Sequence, residues 1–175
     1  MKVDLGFDTE QLGKLIEKVK DNPETGSTVW KASTAWKNGL RSEATIHREG
    51  KDHTVPMDEP TPMGGSDTAP NMVEVVLGSY GCCLTTGFVA NAALRGIQLE
   101  GVDIEVEGDL DLQGFFGLKD PDEAWPGYTD VRAKVKLTAP TATAEQLQEL
   151  FDAVVPTSPV GSIIARPVKV ATELA

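Results

Sequence analysis

The stretch Met72 to Arg95 runs for 24 residues without a proline and is apolar or small nearly all round. A helix of that texture has no water-facing side to speak of, so it predicts a buried central helix around which the rest of the chain must be arranged. Gly78, Gly81 and Gly87 weaken its helix preference but let neighbouring elements approach closely. Gly96 comes next as the natural stop.

The flanking text reads as mixed structure. Asp8 with Gln11 resembles a capping box, and Leu12, Leu15, Ile16 and Val19 then recur at helical spacing until Asn22-Pro23 breaks the pattern. Strand-like pieces come after it at 29–36, 42–48 and 52–57, separated by Asn38-Gly39 and Glu49-Gly50, which predicts a three-stranded meander. Asp58 to Asn71 carries three prolines and two glycines and reads as a loop.

Beyond the long helix, Val102, Ile104, Val106, Leu110 and Leu112 alternate with acidic residues, and Val131, Ala133, Val135 and Leu137 with mostly basic ones. Antiparallel pairing of these strands sets opposite charges across from each other, each pair worth roughly 0.2–1 kcal/mol. Gln113 to Tyr128 reads as a loop with exposed aromatics. Thr143 and Gln146 form a second capping box ahead of the stripe Leu147, Leu150, Phe151 and Val154. Ser158-Pro159 predicts an N-cap with proline at N1, and Val168 to Leu174 a closing strand. The order of elements is α+β, expected as one domain over 1–175, with 1–26 an N-terminal helical extension and 27–175 the core.

Charge narrows the partners. Sixteen basic against 27 acidic residues give −11, which repels phosphate backbones and anionic lipid surfaces, so no nucleic acid is expected. No apolar run of signal-peptide or membrane-spanning length is apparent, so the expectation is a cytoplasmic protein with no membrane partner.

Cys82 and Cys83 are the only cysteines, and adjacent positions do not suit an ordinary disulfide. His47 and His53 offer no zinc spacing with them, so no metal is expected. The two thiols lie about 100° apart around a helix, so at most one faces a given pocket. Cys82 is read as packing. Cys83 sits about three turns in, beyond useful reach of the helix N-terminus. It needs a cation from elsewhere to become a reactive thiolate, and without one it is an inert small hydrophobe.

The text Asp58-Glu59-Pro60, Gly64-Gly65, Ala69-Pro70-Asn71-Met72-Val73-Glu74 and Tyr80-Gly81-Cys82-Cys83-Leu84 resembles the OsmC/Ohr family, and Gly96, Ile97 and Leu99 resemble the residues just after the family's long helix. The family's helix-start proline stands eleven residues before its reactive cysteine; Met72 occupies that place here, which selects Cys83. The resemblance implies an OsmC-like fold, a mostly antiparallel sheet wrapped on a long central helix, in an intertwined homodimer without a cofactor. It also implies thiol-dependent reduction of organic hydroperoxides, with the cysteine paired to an arginine from the early strands and a glutamate before Gly-Gly. Arg41 and Arg48 are the candidates for the arginine, Arg41 preferred; Pro62 stands near the glutamate's place, and Glu59 is close enough in the loop to substitute. The family's second cysteine precedes Pro-Val, where this chain has Ser158, so an external thiol reductant would complete turnover. Ser158 is read chiefly as the helix cap. Tyr80, Phe115, Phe116 and Ser158 are the expected pocket residues. The alternative is a non-catalytic scaffold that keeps its pocket for a small apolar ligand.

Overall fold

Asp8 opens the first helix of the structure, a computed structural model that describes residues 3–174. Its Oδ1 accepts from the N–H groups of Glu10 and Gln11, satisfying donors that a first helical turn leaves free. α1 spans Thr9–Asp21, and Asn22 caps a 3-10 turn at Pro23–Gly26. The expected apolar stripe is present but shallowly covered, with Leu15 and Ile16 exposed and no residue of α1 buried.

This helix belongs to the first of two compact units, Asp8–Val76. Its sheet is the expected antiparallel meander, β1 (Lys31–Asn38), β2 (Arg41–His47) and β3 (His53–Met57), in that order. Gly39 and Gly50 make the two turns with φ of 56° and 76°, the left-handed region that a Cβ disfavours. Pro56 lies in β3, an edge strand, where a missing N–H is tolerated. All eight residues of β1 are exposed, whereas Ala44 of β2 is buried.

The Asp58–Asn71 loop is stitched by its own backbone rather than loose. The Asp58 side chain, fully buried, accepts from the N–H groups of Glu59, Ser66 and Thr68 and from the Thr68 hydroxyl. Asn71 Oδ1 accepts from the Glu74 N–H and Glu74 Oε2 from the Asn71 N–H, both at 2.9 Å, a reciprocal capping box that starts α2.

α2 spans Met72–Arg95, the predicted bounds, and Gly96 ends it at a φ of 70°. From Leu77 onward the chain, with the segment before Asp8, forms the second unit. Its core gathers Leu84, Phe88 and Ala92 of α2 with Ile97, Leu99, Ala139, Leu150 and Val154. By length and composition α2 could cross a membrane, which corrects the expectation that no segment approaches this. Here its buried residues belong to a protein core. The glycines explain how: a Cβ on Gly87 would stand 2.8 Å from Val154 Cγ1, and one on Gly81 3.4 Å from Val106 Cγ2.

β4 (Gly101–Leu110) and β5 (Tyr128–Thr138) pair antiparallel in the expected charge register, Asp103 opposite Lys136, Glu105 opposite Lys134 and Glu107 opposite Arg132. Arg132 also bonds Asp109 and Asp130. Its hydrogen bond holds the Asp109 carboxyl below the usual carboxylate range, and the same partner raises the guanidinium. The segment between these strands, expected as loop, begins with one turn of helix, α3 (Leu112–Phe115), because Asp111 caps it through the Gln113 N–H at 2.8 Å. Gly114 then lies under Ala124 and Trp125, where a Cβ would overlap the backbone.

α4 (Ala144–Val154) carries the full Thr143–Gln146 capping box, and α5 (Pro159–Ala165) starts at Ser158. The predicted closing strand at 168–174 is absent. Val168 and Val170 are 58% and 77% exposed, and among the described residues no strand pairs with them. Alternating residues encode a strand only where an edge receives them. The mixture of helix and antiparallel sheet is α+β, as expected.

Candidate functional site

α2 carries Tyr80 and Cys83 three residues apart, hence on neighbouring positions of one helix face. Cys83 is half-buried, and the Ser158 hydroxyl, on a residue only 5% exposed, donates to its sulfur at 3.2 Å. The same oxygen accepts from the Gly161 N–H at 3.1 Å, so the expected cap is present. Tyr80 lies against this first turn of α5, since a Cβ on Gly161 would stand 2.8 Å from its Cε2. The structure therefore brings Tyr80, Cys83 and Ser158 together. Gly161 completes the cluster, and its signal in the sequence is a residue without a side chain three places after a serine cap.

Cys82 does not pack as expected. It is exposed, because its turn of about 100° from Cys83 carries it off the face that α2 gives to the core. Phe115 and Phe116 are 50% and 54% exposed and face each other edge-on, with ring centroids 5.1 Å apart.

The other family-implied residues lie in the first unit. Arg41 is the exposed first residue of β2, and neither it nor Arg48 has an ion pair among the described residues. The register Ser42 opposite Met57 puts Arg41 at the end of the β2–β3 pair from which Asp58 and Glu59 depart. Arg48 lies beyond the opposite end. Glu59 is 8% exposed, and among the described residues its Oε2 has no hydrogen-bond partner. Asp58 differs: burial pushes its carboxyl up, but the bonds from Thr68, Glu59 and Ser66 together bring it below the ordinary value.

His47 takes part in a surface chain, Nε2 2.9 Å from Ser33 Oγ and Nδ1 3.3 Å from Asp52 Oδ2. Among the described residues no three His, Cys, Asp or Glu side chains are grouped to hold a metal ion.

The chain is thus an α+β protein whose long helix presents one half-buried thiol, Cys83, to a buried hydroxyl. The chain is a member of the OsmC family: the family model described as OsmC-like protein matches residues 64–173. That span includes Cys83 and Ser158 but not Arg41. Solved structures agree on the fold. An OsmC-like protein from Mycoplasma pneumoniae superposes with a TM-score of 0.62 at 12% identity, covering 79% of this chain and 89% of that one. An OsmC-like protein of unknown function from Vibrio cholerae gives 0.56 at 12%, covering 78% and 93%. An organic hydroperoxide resistance protein OsmC from Legionella pneumophila gives 0.54 at 14%, covering 79% and 91%. No curated protein matches the chain.

Proposed function

We propose that this protein is a cytoplasmic one-cysteine thiol peroxidase that reduces organic hydroperoxides, working as a homodimer with an external thiol as reductant. The observation that carries the reading is the Cys83–Ser158 contact: the thiol is held by a buried donor, and the group beside it is a hydroxyl. The Cys83 thiolate attacks the distal oxygen of ROOH, the O–O bond breaks, and the departing alkoxide takes a proton to leave as ROH. Cys83 is left as sulfenic acid. A hydroxyl cannot condense with it, so an external thiol attacks the sulfur, expels water and forms a mixed disulfide, which a second thiol resolves. Arg41 is the cation that the family resemblance assigns to the thiolate, with Glu59 as the carboxylate of that set. Tyr80, Phe115 and Phe116 offer apolar surface to the organic group. The hydroperoxide class is that of the Legionella relative's name, carried here as part of the proposal.

The second reading, a non-catalytic scaffold for a small apolar ligand, has one observation in its favour: the hydrogen-bond partner of the Cys83 sulfur is neutral. Exposure to cumene hydroperoxide with dimedone separates the two. A peroxidase gains one dimedone adduct on Cys83 and loses peroxide consumption in Cys83→Ser while keeping most of it in Cys82→Ser. Unmodified thiols and unconsumed peroxide leave the scaffold.

A further inference from the structure

Ser158 is buried, so its hydroxyl has little water to satisfy it and must place one proton and its lone pairs within the protein. The Gly161 N–H occupies a lone pair. The proton is then left for an acceptor, and the acceptor in reach is Cys83 Sγ. An exposed serine cap would give that proton to solvent; burial redirects it to sulfur. Cap and thiol partner are thus two halves of one arrangement, because the bond accepted from the helix orients the bond donated to the thiol.

We propose that Ser158 is a positioning residue for Cys83, a donor that stabilises the thiolate and then holds the sulfenic acid open for an outside thiol. This rests on the reading of Cys83 as the nucleophile. A hydrogen bond to an ionised acceptor is about twice as strong as one to a neutral group, so the Ser158 hydroxyl favours the charged sulfur. The geometry is braced. Gly161 sits so close to Tyr80 and to Ser158 itself that a side chain there would push the cap away, with Cβ distances of 2.8 and 3.3 Å. After oxidation the hydroxyl still donates to the new S–OH group but has no sulfur with which to close a bond.

The test is the rate of iodoacetamide alkylation of Cys83 against pH, read by mass spectrometry in a Cys82→Ser background. Removing a bond to an ionised partner should move the midpoint of that profile up by about one pH unit and slow alkylation about tenfold at neutral pH in Ser158→Ala. Ser158→Gly, which keeps a good helix cap without a hydroxyl, should shift as far, and Ser158→Thr, which restores one, should return toward the parent. Identical profiles in the parent and the glycine variant overturn the proposal, as does a threonine variant no better than alanine. Peroxide turnover is scored separately. A shifted profile in a protein that consumes no peroxide removes the peroxidase reading and leaves the Ser158 role standing; Cys83-dependent turnover with an unshifted profile does the reverse.

Discussion

Gly65 is packed against Glu59 so closely that a Cβ on Gly65 would overlap the Glu59 carbonyl group. The obstacle is backbone, which cannot rotate aside like the end of a side chain. Gly65→Ala therefore forces the Asp58–Asn71 loop apart and should cost about 2 kcal/mol or more in urea unfolding. Gly13, inside α1, has open space within 4 Å of the point where a Cβ would stand, so Gly13→Ala should instead stabilise by up to about 1 kcal/mol. Equal effects at the two sites would mean that the loop is not closed as described.

The same loop predicts a pH dependence through Asp58. Its folded carboxyl titrates below the ordinary 3.8, so folding favours the ionised form. The stabilisation is complete above that unfolded value and is lost as pH falls through the lower folded one. Urea midpoints of the parent should therefore drop below roughly pH 4. Asp58→Asn puts an amide N–H₂ where N–H donors converge, so its midpoint should lie below the parent's at pH 7 and the gap should narrow in acid. A gap that is constant with pH would show that the Asp58 charge is not what those donors recognise.

How much of the fold and the site is legible in the sequence depends on the range of each interaction. The bounds of α2, the Thr143–Gln146 box and the Asp103–Lys136 ladder are set by residues near in sequence or by strict alternation, and the sequence displays them. The Ser158 cap is equally local. Its bond to Cys83 spans 75 residues, and no spacing rule encodes it, although the family resemblance sets the two positions side by side. Exposure of Cys82 depends on which face of α2 the core takes, a choice made by Leu150 and Val154 far downstream. The Asn71–Glu74 box is local too, an asparagine three residues ahead of a glutamate. The tail at 168–174 shows the opposite failure, a clear alternation with no strand beside it among the described residues.

Ser158→Cys converts the proposed external resolution into an internal one. The Ser158 oxygen is already 3.2 Å from Cys83 Sγ, and a thiol's longer bond to Cβ closes part of the gap to the 2.05 Å or so of a disulfide, leaving the rest to a small side-chain rotation. In a Cys82→Ser background, one equivalent of hydroperoxide should yield a species lighter by about two hydrogens, with no dimedone adduct. The parent should give the adduct and no internal bond. A variant that stays reduced, or one that traps sulfenic acid as the parent does, would place Cys83 and position 158 further apart than the hydrogen bond implies.

The last expectation is the homodimer, and β1 supplies its physical reason. A strand with all eight residues exposed gains little from the chain that carries it, and Trp30 stands just before it and Trp36 within it, at 77% and 75% exposure. Tryptophans of that exposure with Val29 beside them leave a large apolar area in water, of the kind that oligomer interfaces cover. A stable interface covers at least about 1,000 Å² in total, and a second copy of this edge brings the same residues to meet it. Light scattering at micromolar concentration should therefore give about twice the 18.7 kDa chain mass. Trp36→Glu should shift the mass toward the monomer, because a carboxylate at the centre of an apolar contact is desolvated without a partner. The same change at Leu118, exposed on the β4–β5 connection, is the reference substitution for a charge placed elsewhere on the surface. A parent protein that elutes as monomer, or a Trp36→Glu variant as dimeric as the parent, would leave β1 without the partner that its exposure calls for.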